Sequence, residues 1–281
     1  MSAAHASQPR SDFTFDFAAV DETLDDDQRW STWLSIERLA RGPEPRPDWV
    51  VTDDSAVDTE LGVLKTGKEA DVFLLERASR TDPDQSVVMA AKRYRSAEHR
   101  SFQRSSVYTA GRKVRDTRDM RAMAKGTAHG RSVATGQWAA AEWDALCSLW
   151  SAGVPVPYPV QVDGTEILME YVSVDGAAAP RLAQTRPEPD LRDHWFAQLR
   201  DAMAVLTRRH LAHGDLSPYN ILAQGERLVI IDLPQVVDII GNPLGMDLLM
   251  RDCTNVCTWF RAKGADADEH ALFGELLAQA Y

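Results

Sequence analysis

The sequence predicts an α+β protein of two lobes, a β-rich N-terminal lobe and a mainly helical C-terminal lobe. Three observations carry this expectation. Between Leu61 and Tyr94, short β-favouring runs alternate with turn residues. From Leu191 onward, apolar residues recur at helical spacing over long segments. Between these halves, residues 173–189 are rich in Ala and Pro, as a junction between lobes would be. The chain therefore divides into an acidic N-terminal tail with a short helix (1–48), an N-lobe (49–172) and a C-lobe (173–281). The cleft between lobes is the expected site.

The elements follow in order. Residues 1–28 are polar and acidic and read as a tail. Trp30, Trp33 and Leu34 suggest a short helix to Ala40, broken by Gly42-Pro43. Leu61–Leu64 and Val72–Leu75 read as two strands joined by a tight turn at Thr66-Gly67-Lys68-Glu69. Asp82-Pro83-Asp84 turns the chain into a third strand, Val87–Tyr94. Residues 93–131 have no sustained apolar period and read as a long loop with one helical piece. Gln137–Trp150 is the next helix, stopped by Gly153 and by Pro155, Pro157 and Pro159. Glu166–Val172 is a strand. Leu191–Leu211 is a long amphipathic helix with Leu191, Trp195, Leu199, Met203 and Leu206 on one stripe. Two short strands follow near Ile221-Leu222 and Leu228–Ile231, then helices at Leu244–Arg261 and Glu269–Ala280.

The 281 residues carry a formal net charge of −11, which argues against a wholesale polyanion binder. The mean hides a segregation: residues 92–131 hold twelve basic and three acidic residues. That stretch is either a solvated loop or a local footprint for phosphates. Three cysteines make no disulfide framework and suit a reducing compartment. Cys253 and Cys257, four apart on a helix, read as packing rather than as a metal pair. Neither a signal peptide nor a transmembrane run is visible, so a cytoplasmic protein without membrane partners is expected.

The strongest chemical signal is His213-Gly214-Asp215-Leu216-Ser217-Pro218-Tyr219-Asn220 followed by Ile230-Ile231-Asp232. An Asp, an Asn five residues later and an Asp after an apolar strand form the catalytic-loop grammar of kinase-like phosphotransferases. Magnesium wants hard oxygen ligands, which Asn220 and Asp232 supply. Asp215 is then placed to orient or deprotonate an attacking hydroxyl. Lys92 lies on a strand of small apolar residues, where a lysine is either at an exposed edge or paired. Glu142 shares the apolar face of its helix with Trp138, Leu146 and Leu149, and a carboxylate there needs a cation. Pairing Lys92 with Glu142 meets that need and aims the ammonium at nucleotide phosphates. In the turn Thr66-Gly67-Lys68-Glu69, glycine lets the backbone approach phosphates, although no P-loop pattern is present. Backbone groups of Met169, Glu170 and Val172 could bind an adenine edge; a plain linker explains that segment equally well.

With these stretches in view, the chain resembles RIO-type atypical serine/threonine protein kinases, most specifically their first subfamily. Thr66 to Phe73 looks like the family's nucleotide loop, Ala91 to Arg95 like its ATP-lysine strand, and His213 to Leu222 like its catalytic loop. Ile231 to Gln235 resembles its metal loop, and Arg251 to Val256 a signature of the first subfamily. The resemblance spans roughly Leu61 to Phe260. It implies a bilobal protein-kinase-like fold with a reduced C-lobe, ATP with Mg2+ (Mn2+ as the alternative ion), and autophosphorylation on serine. It also implies slow turnover and a phospho-Asp at Asp232. Departures are Lys65, where the family usually has Ser, Leu233-Pro234 before Gln235, and the absence of a His-containing run at Ile239–Gly245.

Three functions follow. The first is an ATP- and magnesium-dependent kinase acting on a protein substrate or on itself, with Lys92, Glu142, Asp215, Asn220 and Asp232 as its machinery. The second is a slow ATPase switch that gates release from a ribosomal or other ribonucleoprotein particle, with the basic loop 92–131 on ribosomal RNA. The third is a small-molecule kinase of the aminoglycoside or choline type, which shares the His-Gly-Asp-x4-Asn loop; the nucleotide loop and the Arg251 to Val256 signature argue against it.

Overall fold

The computed structural model describes residues 24–95 and 128–280. One six-stranded antiparallel sheet forms the N-terminal half. Its strands are β1 (Gln28–Trp30), β2 (Val57–Thr66), β3 (Ala70–Ala78), β4 (Ser86–Tyr94), β5 (Pro159–Asp163) and β6 (Glu166–Glu170), in the order β1-β2-β3-β4-β6-β5. Helix α1 (Ala128–Ser151) lies between β4 and β5 in the chain. The C-terminal half is mainly helical, with α2 (Pro189–Arg208), α3 (Gly245–Ala262) and α4 (Glu269–Ala280). Short two-stranded ladders complete it: β7 (Ser173–Val174) with β8 (Ala177–Ala178), β9 (Leu211–Ala212) with β12 (Val237–Asp238), and β10 (Ile221–Gln224) with β11 (Arg227–Ile230). The expected α+β, bilobal architecture is therefore the one observed.

The sheet packs Leu75, Met89 and Leu168 with Tyr158 and Trp33, while Leu146, Leu149, Leu199, Leu216 and Phe260 belong to a larger core that runs from α1 into the helices. Each such side chain fully buried contributes roughly 1.5–3 kcal/mol. Inside the sheet Arg77 is fully buried. Its guanidinium donates to both carboxylate oxygens of Asp58 at 2.6 and 2.9 Å and to Gln161 Oε1 at 2.9 Å.

Several expectations change. Trp30 to Ala40 forms no α-helix: Trp30 ends β1, and only Arg38–Ala40 makes a 3-10 turn. The apolar residues there do not share a face, since Trp30 and Leu34 are exposed while Trp33 is buried, with the guanidinium groups of Arg41 and Arg46 each 5.2 Å from its ring. Strand β5 is an addition, because Pro159 reads as a breaker yet is tolerated as the first residue of an edge strand. Helix α1 starts at Ala128, inside the stretch read as loop. It ends as expected, with Gly153 at φ 80° and the Val154 amide bonded to the Leu149 carbonyl at 3.0 Å.

Residues 41–43 run along the outer edge of β5. The Gly42 amide donates to the Val160 carbonyl at 2.9 Å, and Arg41 bridges Gln161. Only glycine fits there, since a Cβ on Gly42 would lie 1.9 Å from the Pro159 carbonyl oxygen. Among the described residues no helix is long and apolar enough to cross a membrane.

Candidate active site

A cavity of about 670 Å³ lies between the sheet and the helical half. The β2–β3 turn forms its roof. There the Gly67 amide bonds to the Ala70 carbonyl at 3.0 Å, and a Cβ on Gly67 would come within 2.6 Å of that oxygen. The turn is tied to the end of β4 by a two-pronged Arg95–Asp71 pair at 2.6 Å and by the Arg95 amide on the Glu69 carbonyl. Gly67, Lys68 and Glu69 line the cavity; Thr66 does not, and it is exposed. The reason is the pleat: a register shift between Val63 and Lys65 turns Lys65 inward, so Thr66 points to the other face. Glu69 is raised above the usual carboxylate range by burial and then by the charge of Asp232.

Lys92 is the centre of the polar wall. Its Nζ lies 2.6 Å from Glu142 Oε1 and 3.2 Å from Asp232 Oδ1, so strand β4, helix α1 and the loop after β11 meet at one ammonium. The Tyr94 hydroxyl donates to the other Glu142 oxygen, which leaves that buried carboxylate fully partnered. Burial alone would lower the Lys92 pKa, but the two carboxylates outweigh it and raise it, so the ammonium stays charged. For Asp232 burial pushes the pKa up, and Lys92 more than offsets this, holding the carboxyl below its ordinary value. Asp232 also sits at φ 68°, a left-handed conformation that a non-glycine residue holds only under local constraint.

The loop that carries Asp215 hangs from α3. Asp252, 1% exposed, accepts the Gly214 amide on Oδ2 and the Leu216 amide on Oδ1, both at 2.8 Å, so it grips both neighbours of Asp215. Burial raises the Asp252 pKa to about 6, against the opposing charge of His213 and the two amides. The Asn255 amide donates to the Leu216 carbonyl at 2.9 Å, and Arg251 donates to the Gly214 carbonyl. His213 Nε2 lies 3.1 Å from the Ile231 carbonyl, tying the Asp215 loop to the segment that leads into Asp232. Asn220 Nδ2 donates to the Asp215 carbonyl at 2.9 Å. That fixes the amide so that its Oδ1 remains as an acceptor, and Asn220 lines the cavity.

Of the residues anticipated from sequence, Lys92, Glu142, Asn220 and Asp232 converge on the cavity, and Met169, Glu170 and Val172 form its back wall. Asp215 does not line it. Its side chain is 46% exposed, outside the cavity, with the Arg251 guanidinium at 3.8 Å. Eight of the twelve basic residues of that stretch fall at 96–127, outside the described residues, and so do Ser96, Ser101, Ser105 and Ser106, candidate serines for autophosphorylation. Sequence reading names neither Tyr94 nor Arg181 as a site residue, yet both line the cavity. Tyr94 was findable: two residues beyond Lys92, it shares that strand face.

Asp232 and Asn220 suit Mg2+. The donors are hard oxygens, only two side chains contribute, and no group of three or more His, Cys, Asp or Glu residues that could hold a metal occurs among the described residues. Magnesium keeps waters and substrate phosphates as its remaining ligands, whereas zinc needs three or four protein ligands.

Comparison with known proteins gives the same direction. Residues 75–272 match the RIO domain. The "RIO-type serine/threonine-protein kinase Rio1" of Haloferax volcanii is 34% identical over 223 residues, covering 79% of this chain and 70% of that protein. The "Serine/threonine-protein kinase RIO1" of Caenorhabditis elegans is 30% identical over 204 residues, 72% of this chain and 37% of its own length. The Rio1 protein of Methanocaldococcus jannaschii is 38% identical over 109 residues, 38% of this chain and 36% of that protein. A domain match over more than half of the chain, joined to a relative alike over most of it, shows that this chain belongs to the RIO-type serine/threonine protein kinases.

Proposed function

We propose that this kinase transfers the terminal phosphoryl group of ATP, with Mg2+, to a serine or threonine hydroxyl on a protein, itself included. One observation carries the reading: Lys92, Glu142 and Asp232, drawn from three elements, meet at bonding distance on the wall of one cavity, with Asn220 beside them. Lys92, kept charged by its two carboxylates, holds nucleotide phosphates in place. Asn220 and Asp232 hold the metal, which when bound neutralises charge on the phosphate oxygens. The Gly67 turn brings backbone close to the phosphates from above. Met169, Glu170 and Val172 present backbone groups to the adenine edge. Asp215, outside the cavity and partly exposed, meets the incoming hydroxyl. It orients that hydroxyl and accepts its proton as the oxygen attacks phosphorus. The lobes then meet at residues 172 and 173, at the back wall of the cavity.

Incubating the purified chain with radiolabelled ATP and Mg2+, followed by mass spectrometry, tests this. Phosphoserine or phosphothreonine is expected in the wild type, and its rate of formation should fall ~10²-fold or more in Asp215→Asn. An acyl-phosphate on Asp232 with no phosphorylated hydroxyl would refute it and leave slow ATP hydrolysis as the activity.

A further inference from the structure

Two cations from opposite sides of the cavity, Lys65 and Arg181, face it without an ion pair to a carboxylate within 4 Å among the described residues. Lys65 comes from β2 and Arg181 from the segment that opens the helical half. The backbone aims Lys65 there on purpose of geometry: Leu64 and Lys65 are consecutive, yet both line the cavity, which a regular pleat forbids and the register shift between Val63 and Lys65 allows. Arg181 is held from below. Its amide donates to Gln184 Oε1 at 2.9 Å, its backbone bridges Leu222, and its Nη1 donates to the Tyr219 carbonyl at 2.8 Å, next to Asn220. One contact leaves most of the five-donor guanidinium fork available. Elsewhere on the wall Lys92 is matched by Glu142 and Asp232, and Glu170 by Arg227 at 2.9 Å. The Lys65 pKa is lowered by burial and then by the charge of Arg181, and the Asp232 carboxylate offsets only part of that.

We propose that Lys65 and Arg181 form a two-lobe clamp on the phosphate chain of the bound nucleotide, Lys65 from above and Arg181 from below. This rests on the nucleotide reading of the cavity and adds to it a phosphate subsite that needs neither Lys92 nor the metal ligands. The acceptor substrate is the less fitting occupant. Asp215, which meets the acceptor hydroxyl, lies outside the cavity that Lys65 and Arg181 share with Lys92 and Asn220. The clamp makes affinity depend on phosphate charge as well as on adenine, and it draws the lobes together when phosphate arrives.

Calorimetric titration of the full chain with ADP and with adenosine, both without magnesium, tests the clamp. The wild type should bind ADP more tightly than adenosine. Lys65→Gln and Arg181→Gln should each weaken ADP by about tenfold while adenosine stays within about twofold, since each removes one charge-assisted contact to phosphate. Both side chains reach solvent at the cavity, and thermal melting checks that each variant is folded. Unchanged ADP affinity, or equal weakening of ADP and adenosine, overturns the clamp while leaving the nucleotide site standing. A raised KM for the protein acceptor at constant ADP affinity also overturns it. If the wild type binds neither ligand, the nucleotide reading itself fails and the clamp fails with it.

Discussion

Asp252 should make the stability of this protein fall with rising pH across the range where carboxylates normally help. Its carboxyl titrates near 6 in the folded chain, against 3.8 for an ordinary Asp. Between those values the folded state binds a proton that the unfolded state has lost. The stabilising contribution is present below about pH 4 and is lost as pH rises through 6. A shift of that size corresponds to about 3 kcal/mol, at 1.36 kcal/mol per unit. In Asp252→Asn the titration disappears. One of the two loop amides also loses its acceptor, at about 1–3 kcal/mol, because only one amide oxygen remains to serve the Gly214 and Leu216 amides. The stability difference between wild type and variant should therefore change by about 3 kcal/mol between pH 4 and pH 7, with the wild type gaining at the acid end. Urea denaturation at pH 4, 5, 6 and 7 measures it, and the subtraction removes every other titrating group. Parallel curves for the two proteins would refute the reasoning. Phosphoryl transfer by the same variant at pH 7 should drop about tenfold or more, because one of the two residues flanking Asp215 loses its anchor and the loop is no longer gripped on both sides.

Glu142→Gln leaves Lys92 with Asp232 alone and removes the charge that Tyr94 and Lys92 share; transfer should fall ~10²-fold, read by single-turnover phosphorylation, with ADP affinity falling less. Gly67→Ala forces the nucleotide turn open, since its Cβ would sit 2.6 Å from the Ala70 carbonyl oxygen; nucleotide Kd should rise several-fold while the melting temperature moves little. Arg77→Met leaves the buried Asp58 carboxylate with the Arg29 guanidinium alone, at 3.7 Å, and should lower unfolding stability by about 3 kcal/mol, measured in urea; a loss under 1 kcal/mol would mean that Arg29 or water serves Asp58 in its place.

Much of this site is legible in the sequence because its spacing is local. Asp215 to Asn220 is one loop, Lys92 sits on a strand bounded by clear turns, and Glu142 betrays itself as a carboxylate on an apolar helix face. What stays hidden depends on contacts across the chain. Arg181 has no periodic or motif signal; it is a cavity residue only because its segment bridges Leu222 and passes under the roof. Asp252 reads as part of a signature, but its grip on two amides 38 and 36 residues away appears only in three dimensions. Thr66 reads as part of the phosphate turn, and a register shift that no composition reveals turns it away. In the fold, β1 and β5 escape notice for a related reason. The first is three residues that become a strand by pairing with β2, and the second opens with a proline.

The borders of the N-terminal sheet bear on how the protein behaves at high concentration. One border is β1, only three residues long, and short strands make poor templates for another chain. At the other, residues 41 and 42 cover the start of β5 at Val160 and Gln161, with Gly42 pressed against Pro159. A bulkier residue at position 42 would lift that cover and expose a β-edge. The expected consequence is self-association through intermolecular strand pairing, so Gly42→Val should show itself as a precipitating protein before it shows itself as a slow enzyme.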